Sequence, residues 1–154
     1  MGQATRSWRL AGAVAGIVVL LDQATKQIVV SSVERDSHTN VFLGIDLTYV
    51  RNKGVAFGAL GGTGALVTAL TVGAVVAIGV YFAFHTSMPM LWLPFGAVAG
   101  GALGNLADRA RDGAVVDFID PILWPAFNLA DAAIVVGILG LLYVIEGPRA
   151  KRGP

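Results

Sequence analysis

Four apolar stretches dominate this chain, at 10–30, 63–84, 90–107 and 127–146. A run of about 20 apolar residues is what a helix needs to cross the hydrocarbon core of a bilayer. Only 14% of residues are charged, and mean hydropathy is +0.70. A soluble domain would carry about 25% charged residues. The 154 residues therefore read as one integral membrane domain, mainly α-helical, with four transmembrane helices. A net charge of +1 gives no field that would gather nucleic acid. The absence of cysteine removes disulfides, thiolate metal sites and a cysteine nucleophile. His38 and His85 lie far apart, so neither a metal nor another cofactor is expected.

Against this apolar background, the stretch from Gly101 to Asp131 carries Asn105, Asp108, Arg109, Asp112, Asp117, Asp120, Asn128 and Asp131. Ionisable groups beside membrane spans are costly and call for a functional reason. The first span holds Asp22 and Lys26, four apart and so able to pair on one helix face. Arg6 and Arg9 before it suggest a signal peptide, but the apolar run is too long and no clear cleavage site follows. Residues 31–61 form a more polar loop. Alternation at Ile45, Leu47 and Tyr49 against Asp46 and Thr48 predicts short strands on the membrane surface, with a turn at Asn52-Lys53-Gly54 leading to Val55–Phe57. The second span has no charge. In the third, Gly96, Gly100 and Gly104 line one face and permit close approach of a neighbouring helix. Ala114–Ile119 is a β-type run with Asp117 at its middle, and Pro121 and Pro125 prevent a helix there.

Four spans put both tails on one side. The charge count is a tie: Arg6, Arg9, Arg149, Lys151 and Arg152 on the tails oppose Arg35, Arg51, Lys53, Arg109 and Arg111 on the loops. Arg6 and Arg9 ahead of the first span tip both tails towards the cytoplasm. Whatever the orientation, Asp22, Lys26, Asn52–Phe57, Asn105–Arg109, Asp117 and Asn128–Asp131 fall towards one shared face. A site at a membrane surface needs that one-sided arrangement.

Carboxylates are the groups available for hydrolysis. Two in close contact share one proton, so the pair can take a proton from water while donating a hydrogen bond to a carbonyl. Asp117 and Asp131 are the candidate pair. Each also has a structural reading: Asn128-x-x-Asp131 fits a helix-capping arrangement, and Asp117 fits the polar position of an amphipathic strand. Asp108-Arg109 fits an interfacial ion pair. Asp112, Asp120, Arg51 and Lys53 fit solvated surface.

Five motif blocks, in order, resemble the lipoprotein signal peptidases (signal peptidase II), membrane aspartyl peptidases of bacteria. They are Asp22-Gln-Ala-Thr-Lys26; Asn52-Lys-Gly54-Val-Ala56-Phe57; Gly101-Ala-Leu-Gly-Asn105-Leu-Ala-Asp108-Arg109; Val115-Val116-Asp117-Phe118; and Phe127-Asn128-Leu-Ala130-Asp131. The resemblance implies cleavage of the signal peptide of a diacylglyceryl-modified prolipoprotein, on the amino side of the lipidated cysteine. It implies Asp117 and Asp131 as the catalytic aspartates. It implies Asn52, Gly54, Asn105, Asp108, Arg109, Asn128 and Ala130 as pocket, substrate-binding or dyad-supporting positions, and Asp22 and Lys26 as structural support. It further implies four membrane helices with a β-sheet cradle on the outer face, cytoplasmic tails, the bacterial inner membrane as location, no metal, and sensitivity to globomycin. A monomer is the default. The chain departs from many members in having Ala132 after Asp131 and a short connection from Asp117 to Asp131. Arg109 and Asn105 are expected to orient Asp117 and the substrate backbone. Two readings from other classes compete: a small proton-coupled carrier using Asp22 and the other acids, and a non-catalytic assembly factor with a lipid-binding cradle. The charge-free second span counts against the carrier.

Overall fold

The computed structural model describes residues 2–54 and 63–147. The described elements are α1 (Gln3–Ser32), β1 (His38–Phe42), β2 (Ile45–Asn52), α2 (Thr63–Phe84), α3 (Trp92–Asp112), β3 (Val115–Pro121) and α4 (Leu129–Glu146). The chain is a mainly helical membrane protein with a small sheet at one end. Helices α1, α2 and α4 are long and apolar enough to cross a bilayer. Helix α3 ends in Asn105, Asp108, Arg109, Arg111 and Asp112 and does not reach that level. It is also the central helix, packed against α1, α2 and α4. A helix covered by protein rather than lipid need not be apolar all round.

Glycine sets how closely α3 can be approached. A β-carbon on Gly96 would lie 2.6 Å from the Ala11 carbonyl, and one on Gly100 would lie 2.7 Å from that of Ala15. On the opposite side, Gly137 of α4 sits against Val98 and the Pro94 carbonyl. The backbones of α1 and α4 thus close on α3 from two sides. At the tail end of the bundle, Phe82 stacks on Phe95 with ring centres 4.2 Å apart, and Trp8 meets both edge-on. Ala11, Leu91, Val98 and Leu141 complete that apolar core. The polar residues collect at the other end.

The three strands form one antiparallel sheet in the order β1-β2-β3. The short strands expected before residue 54 are present. Thr48 is fully buried, and its hydroxyl donates to the Ser37 carbonyl at 2.7 Å, whereas Ile45 is exposed. An irregularity between Leu47 and Val50 resets the alternation. Val55–Phe57, read as the exit from the turn, lie outside the described residues.

Helix α3 stops at Gly113, whose left-handed φ of 67° suits glycine, and the Gly113 N–H donates to the Arg109 carbonyl. The chain then enters β3, which pairs with β2 so that Asp117 lies opposite Val50 and Val115 opposite Asn52. After β3 the chain returns through Phe127, bridged to Ile119, and Asn128 caps α4. One short excursion thus carries the chain from the end of α3 past Asp117 to Asp131.

Candidate active site

Lys26 anchors the buried polar cluster. Its ammonium has three protons and three partners: Asp22 at 2.8 Å, Asp108 at 2.8 Å and the Asn105 side-chain oxygen at 2.9 Å. Both acids are buried, and burying a charge is tolerable only with such pairing. The second carboxylate charge is answered by Arg111, which donates to Asp108 at 2.9 Å. Gln23 joins the same group, donating to Asp22, Asp108 and the Gly104 carbonyl and accepting from Arg111. Asp22 also accepts the Ala130 N–H at 3.0 Å, which ties α1 to the first turn of α4. Ala130 is fully buried. The spacing of Asp22 and Lys26 thus anticipates a true pair, but the pair is part of a larger network.

Asp108 pairs with Lys26 and Arg111, not with Arg109 as expected from adjacency. Neighbours in sequence point about 100° apart around a helix, whereas i,i+3 residues share a face. The Arg109 side chain has no hydrogen bond or ion pair among the described residues, so the expected contact to Asp117 is not made. Arg111 and Gln23 were missed. The i,i+3 spacing from Asp108 is the one signal that could have found Arg111.

Asp117 is 2% exposed. One of its oxygens accepts from the Asn128 amide at 2.7 Å and the other from the Asn52 amide at 2.9 Å. The Asn52 oxygen in turn accepts the Gly54 N–H at 2.7 Å, across a turn in which Gly54 adopts φ +82°. This fixes the Asn52 amino group towards Asp117. Burial pushes the Asp117 carboxyl up from 3.8 to about 6; the Asn52 hydrogen bond opposes this, the Asp131 charge adds to it, and Asn128 and Lys26 oppose it.

Asp131 is the more open acid. Its two oxygens accept from the Asn105 amide at 2.8 Å and from the Asn128 backbone N–H at 3.2 Å. The Asn128 side-chain oxygen accepts the Asp131 N–H at 3.0 Å, completing a reciprocal capping box. With that oxygen engaged, the Asn128 amino group faces Asp117, the Asn105 oxygen and the Val116 carbonyl. Asn105 is expected to orient Asp117; it meets Asp131 directly and reaches Asp117 through the Asn128 amide.

Asn128 therefore joins the two acids directly: its backbone donates to Asp131 and its side chain to Asp117. A groove of about 360 Å³ opens beside Asp131 between Trp124, Phe127, Ala132, Val135 and Val136. It runs down the apolar flank of α4, so an apolar molecule could approach Asp131 from the bilayer. Among the described residues no group of acids and histidines is arranged to hold a metal ion.

The family described as signal peptidase (SPase) II matches residues 14–146. A lipoprotein signal peptidase of Syntrophomonas wolfei subsp. wolfei is 43% identical over 141 residues, covering 88% of this chain and 93% of its own. One from Pelotomaculum thermopropionicum is 45% identical over 131 residues, covering 84% and 86%. A bacterial membrane enzyme solved by the in meso method at 1.9 Å resolution superposes with a TM-score of 0.79 at 29% identity, covering 89% of this chain and 92% of its own.

Proposed function

The chain belongs to the signal peptidase II family of membrane-embedded aspartic proteases, and on that premise we propose that it removes signal peptides from prolipoproteins by means of Asp117, Asp131 and a water molecule. The cut falls on the amino side of the diacylglyceryl-modified cysteine. The observation that carries the assignment is the bridge through Asn128, which donates to both carboxylates at once.

Two linked acids with one proton between them can do both halves of amide hydrolysis. Burial favours keeping that proton on Asp117. The charge of the singly protonated pair then rests on Asp131, where the N–H of the capping residue Asn128 and the Asn105 amide meet it. Asp131 draws a proton from the water as it attacks the scissile carbonyl, while Asp117 donates to the carbonyl oxygen. As the C–N bond then breaks, the proton taken from water goes to the leaving amine and the former carbonyl oxygen returns its proton to Asp117, which restores the pair. The pair titrates as a unit, so these roles belong to the dyad in its singly protonated state.

The rest of the reading follows from a substrate that stays in the bilayer. All four helices cross it, both tails lie in the cytoplasm, and the dyad lies at the outer face of the inner membrane. One copy suffices. Asn52, Gly54, Asn105, Asp108, Asn128 and Ala130 shape and support the dyad, Asp22 and Lys26 hold α1 to it, and Arg109 faces the substrate. Globomycin-type peptides occupy the same site.

The test is cleavage of a diacylglyceryl-modified prolipoprotein by the detergent-solubilised chain and by Asp117→Asn and Asp131→Asn, with folding checked. Cleavage by the parent and loss in both variants is expected. Cleavage surviving in either variant removes that residue from the reaction.

A further inference from the structure

The end of the sheet farthest from Asn52 carries an apolar surface that the reaction does not use. Two tips meet there: the β1–β2 turn with Val41, Phe42 and Leu43, and the segment after β3 with Ile122, Leu123 and Trp124. Leu43 is 88% exposed, Leu123 94% and Trp124 70%. The Ile122 N–H donates to the Gly44 carbonyl at 3.1 Å, and Pro121 pairs with Ile45, so the tips form one surface.

From this arrangement we infer that the joined tips are a membrane anchor, inserted into the lipid of the bilayer surface beside α4. Three observations support lipid as the occupant. First, the surface is continuous with a lipid-facing one: Trp124 lines the same groove as Val135 and Val136 of α4, a helix long and apolar enough to cross the membrane. Trp124 thus sits at the level of the first turns of α4, where a bilayer's interface and tryptophan's preference coincide. Second, the turn residue Leu43 has φ +23°. A two-residue hairpin turn favours Asn, Asp or Gly at such a position. An exposed leucine there is unfavourable in water on both counts, and lipid relieves one of them. Third, the ionisable groups beside the tips have partners within the sheet: Asp46 and Asp120, which line a cleft with Ile122, Leu123 and Trp124, meet Asn40 and His38 respectively. With no cation among its six residues, the anchor inserts by apolar contact and does not depend on anionic lipid.

The anchor is independent of the dyad assignment, and its test reads position, not cleavage. The chain has no cysteine, so single cysteines can be introduced at Leu43 and at Leu123 and labelled with a small fluorophore, in the full chain in phosphatidylcholine nanodiscs. Leu139→Cys on the exposed flank of α4 serves as the lipid reference and Asp36→Cys as the water reference. Labels at 43 and 123 are expected to lose most of their fluorescence to nitroxide placed high on the lipid chains, as the label at 139, near the middle of α4, does to nitroxide placed near the chain ends. They should resist iodide in solution, and phosphatidylglycerol should change neither result. Three outcomes overturn the inference: labels quenched by iodide like that at 36, protection that appears only on adding a diacylglyceryl-modified peptide, or protection only with more than one copy per disc. The two positions report separately, so a fault in one variant leaves the other as the test.

Discussion

The Asn105 amide donates to Asp131 at 2.8 Å while its oxygen is held by the ammonium of Lys26 at 2.9 Å. Lysine can only donate and an ionised carboxylate can only accept, so the amide has one possible orientation. The same device recurs twice. The Gly54 N–H holds the Asn52 oxygen and turns its amino group to Asp117; the Asp131 N–H does so for Asn128. Three asparagines are thus aimed at two acids by donors that lie behind them.

Lys26→Met leaves the buried Asp22 without a cation and Asp108 with Arg111 alone. Removing one partner of a buried ion pair costs about 3–5 kcal/mol. A clear drop in unfolding temperature in detergent is the expected result. Lys26→Arg should not restore it, because a planar guanidinium cannot reproduce three donors converging on Asp22, Asp108 and Asn105. A variant as stable as the parent would show that the network does not hold α1 in place.

Asn128 has two separable duties. Asn128→Ser keeps an oxygen for the Asp131 N–H but loses the amino group that meets Asp117. Asn128→Ala loses both. The serine variant should be more stable than the alanine variant by about 1 kcal/mol, a usual worth of a helix cap. Both should be nearly inactive in the prolipoprotein assay. Retained turnover in the serine variant would show that the link to Asp117 is dispensable.

On the proposed mechanism the pair Asp117 and Asp131 needs its proton, and burial raises the Asp117 carboxyl to about 6. Turnover of the free enzyme should therefore fall as pH rises through that value. Asn52 favours the ionised form, so Asn52→Ala should move this limb of the kcat/KM profile to higher pH. An unmoved or downward-shifted limb would contradict the assignment. Stability follows the same sign. The folded chain binds this proton more tightly than the unfolded one, so the contribution is complete below 3.8 and is lost as pH climbs through about 6. Asp117→Asn should lack that part of the slope in unfolding temperature against pH.

A methyl group on Gly104 would lie 2.6 Å from an Asp22 carboxylate oxygen, which Lys26 and Gln23 hold in place. Gly104→Ala should therefore destabilise by about 1–3 kcal/mol, as overpacking does, and should disturb turnover. Gly12, inside α1 with nothing within 4 Å of an added β-carbon, is the control: Gly12→Ala should match the parent in cleavage and be no less stable, gaining up to about 1 kcal/mol from helix propensity.

Local spacing made part of the site legible. Asp22 and Lys26 are four positions apart, Asn128 and Asp131 three, and both spacings became contacts. The strand around Asp117 was visible as a β-branched run between a polar helix end and two prolines. What local pattern could not carry was pairing across the chain. Asn52 meets Asp117 only because β2 lies beside β3, and Asn105 meets Asp131 only because α3 packs on α4. Adjacency misled at Asp108, where helical geometry selects Arg111 over Arg109. Alternation separates Thr48 from Ile45 but does not say which side the protein covers, and it is Thr48 that is buried.

The polar end of α3 has a consequence for how the chain is made. In the four-span arrangement proposed here, α3 is the helix least able to partition into lipid by itself. Its glycines and carboxylate find their complements on α1, which leaves the ribosome first. Biogenesis should therefore be sequential: α1 waits in the bilayer with Asp22 and Lys26 neutralising each other, and α3 enters by docking on it. The proposed dyad is complete only when α4 arrives with Asn128 and Asp131. A nascent chain halted before that point would hold a folded foundation and no peptidase.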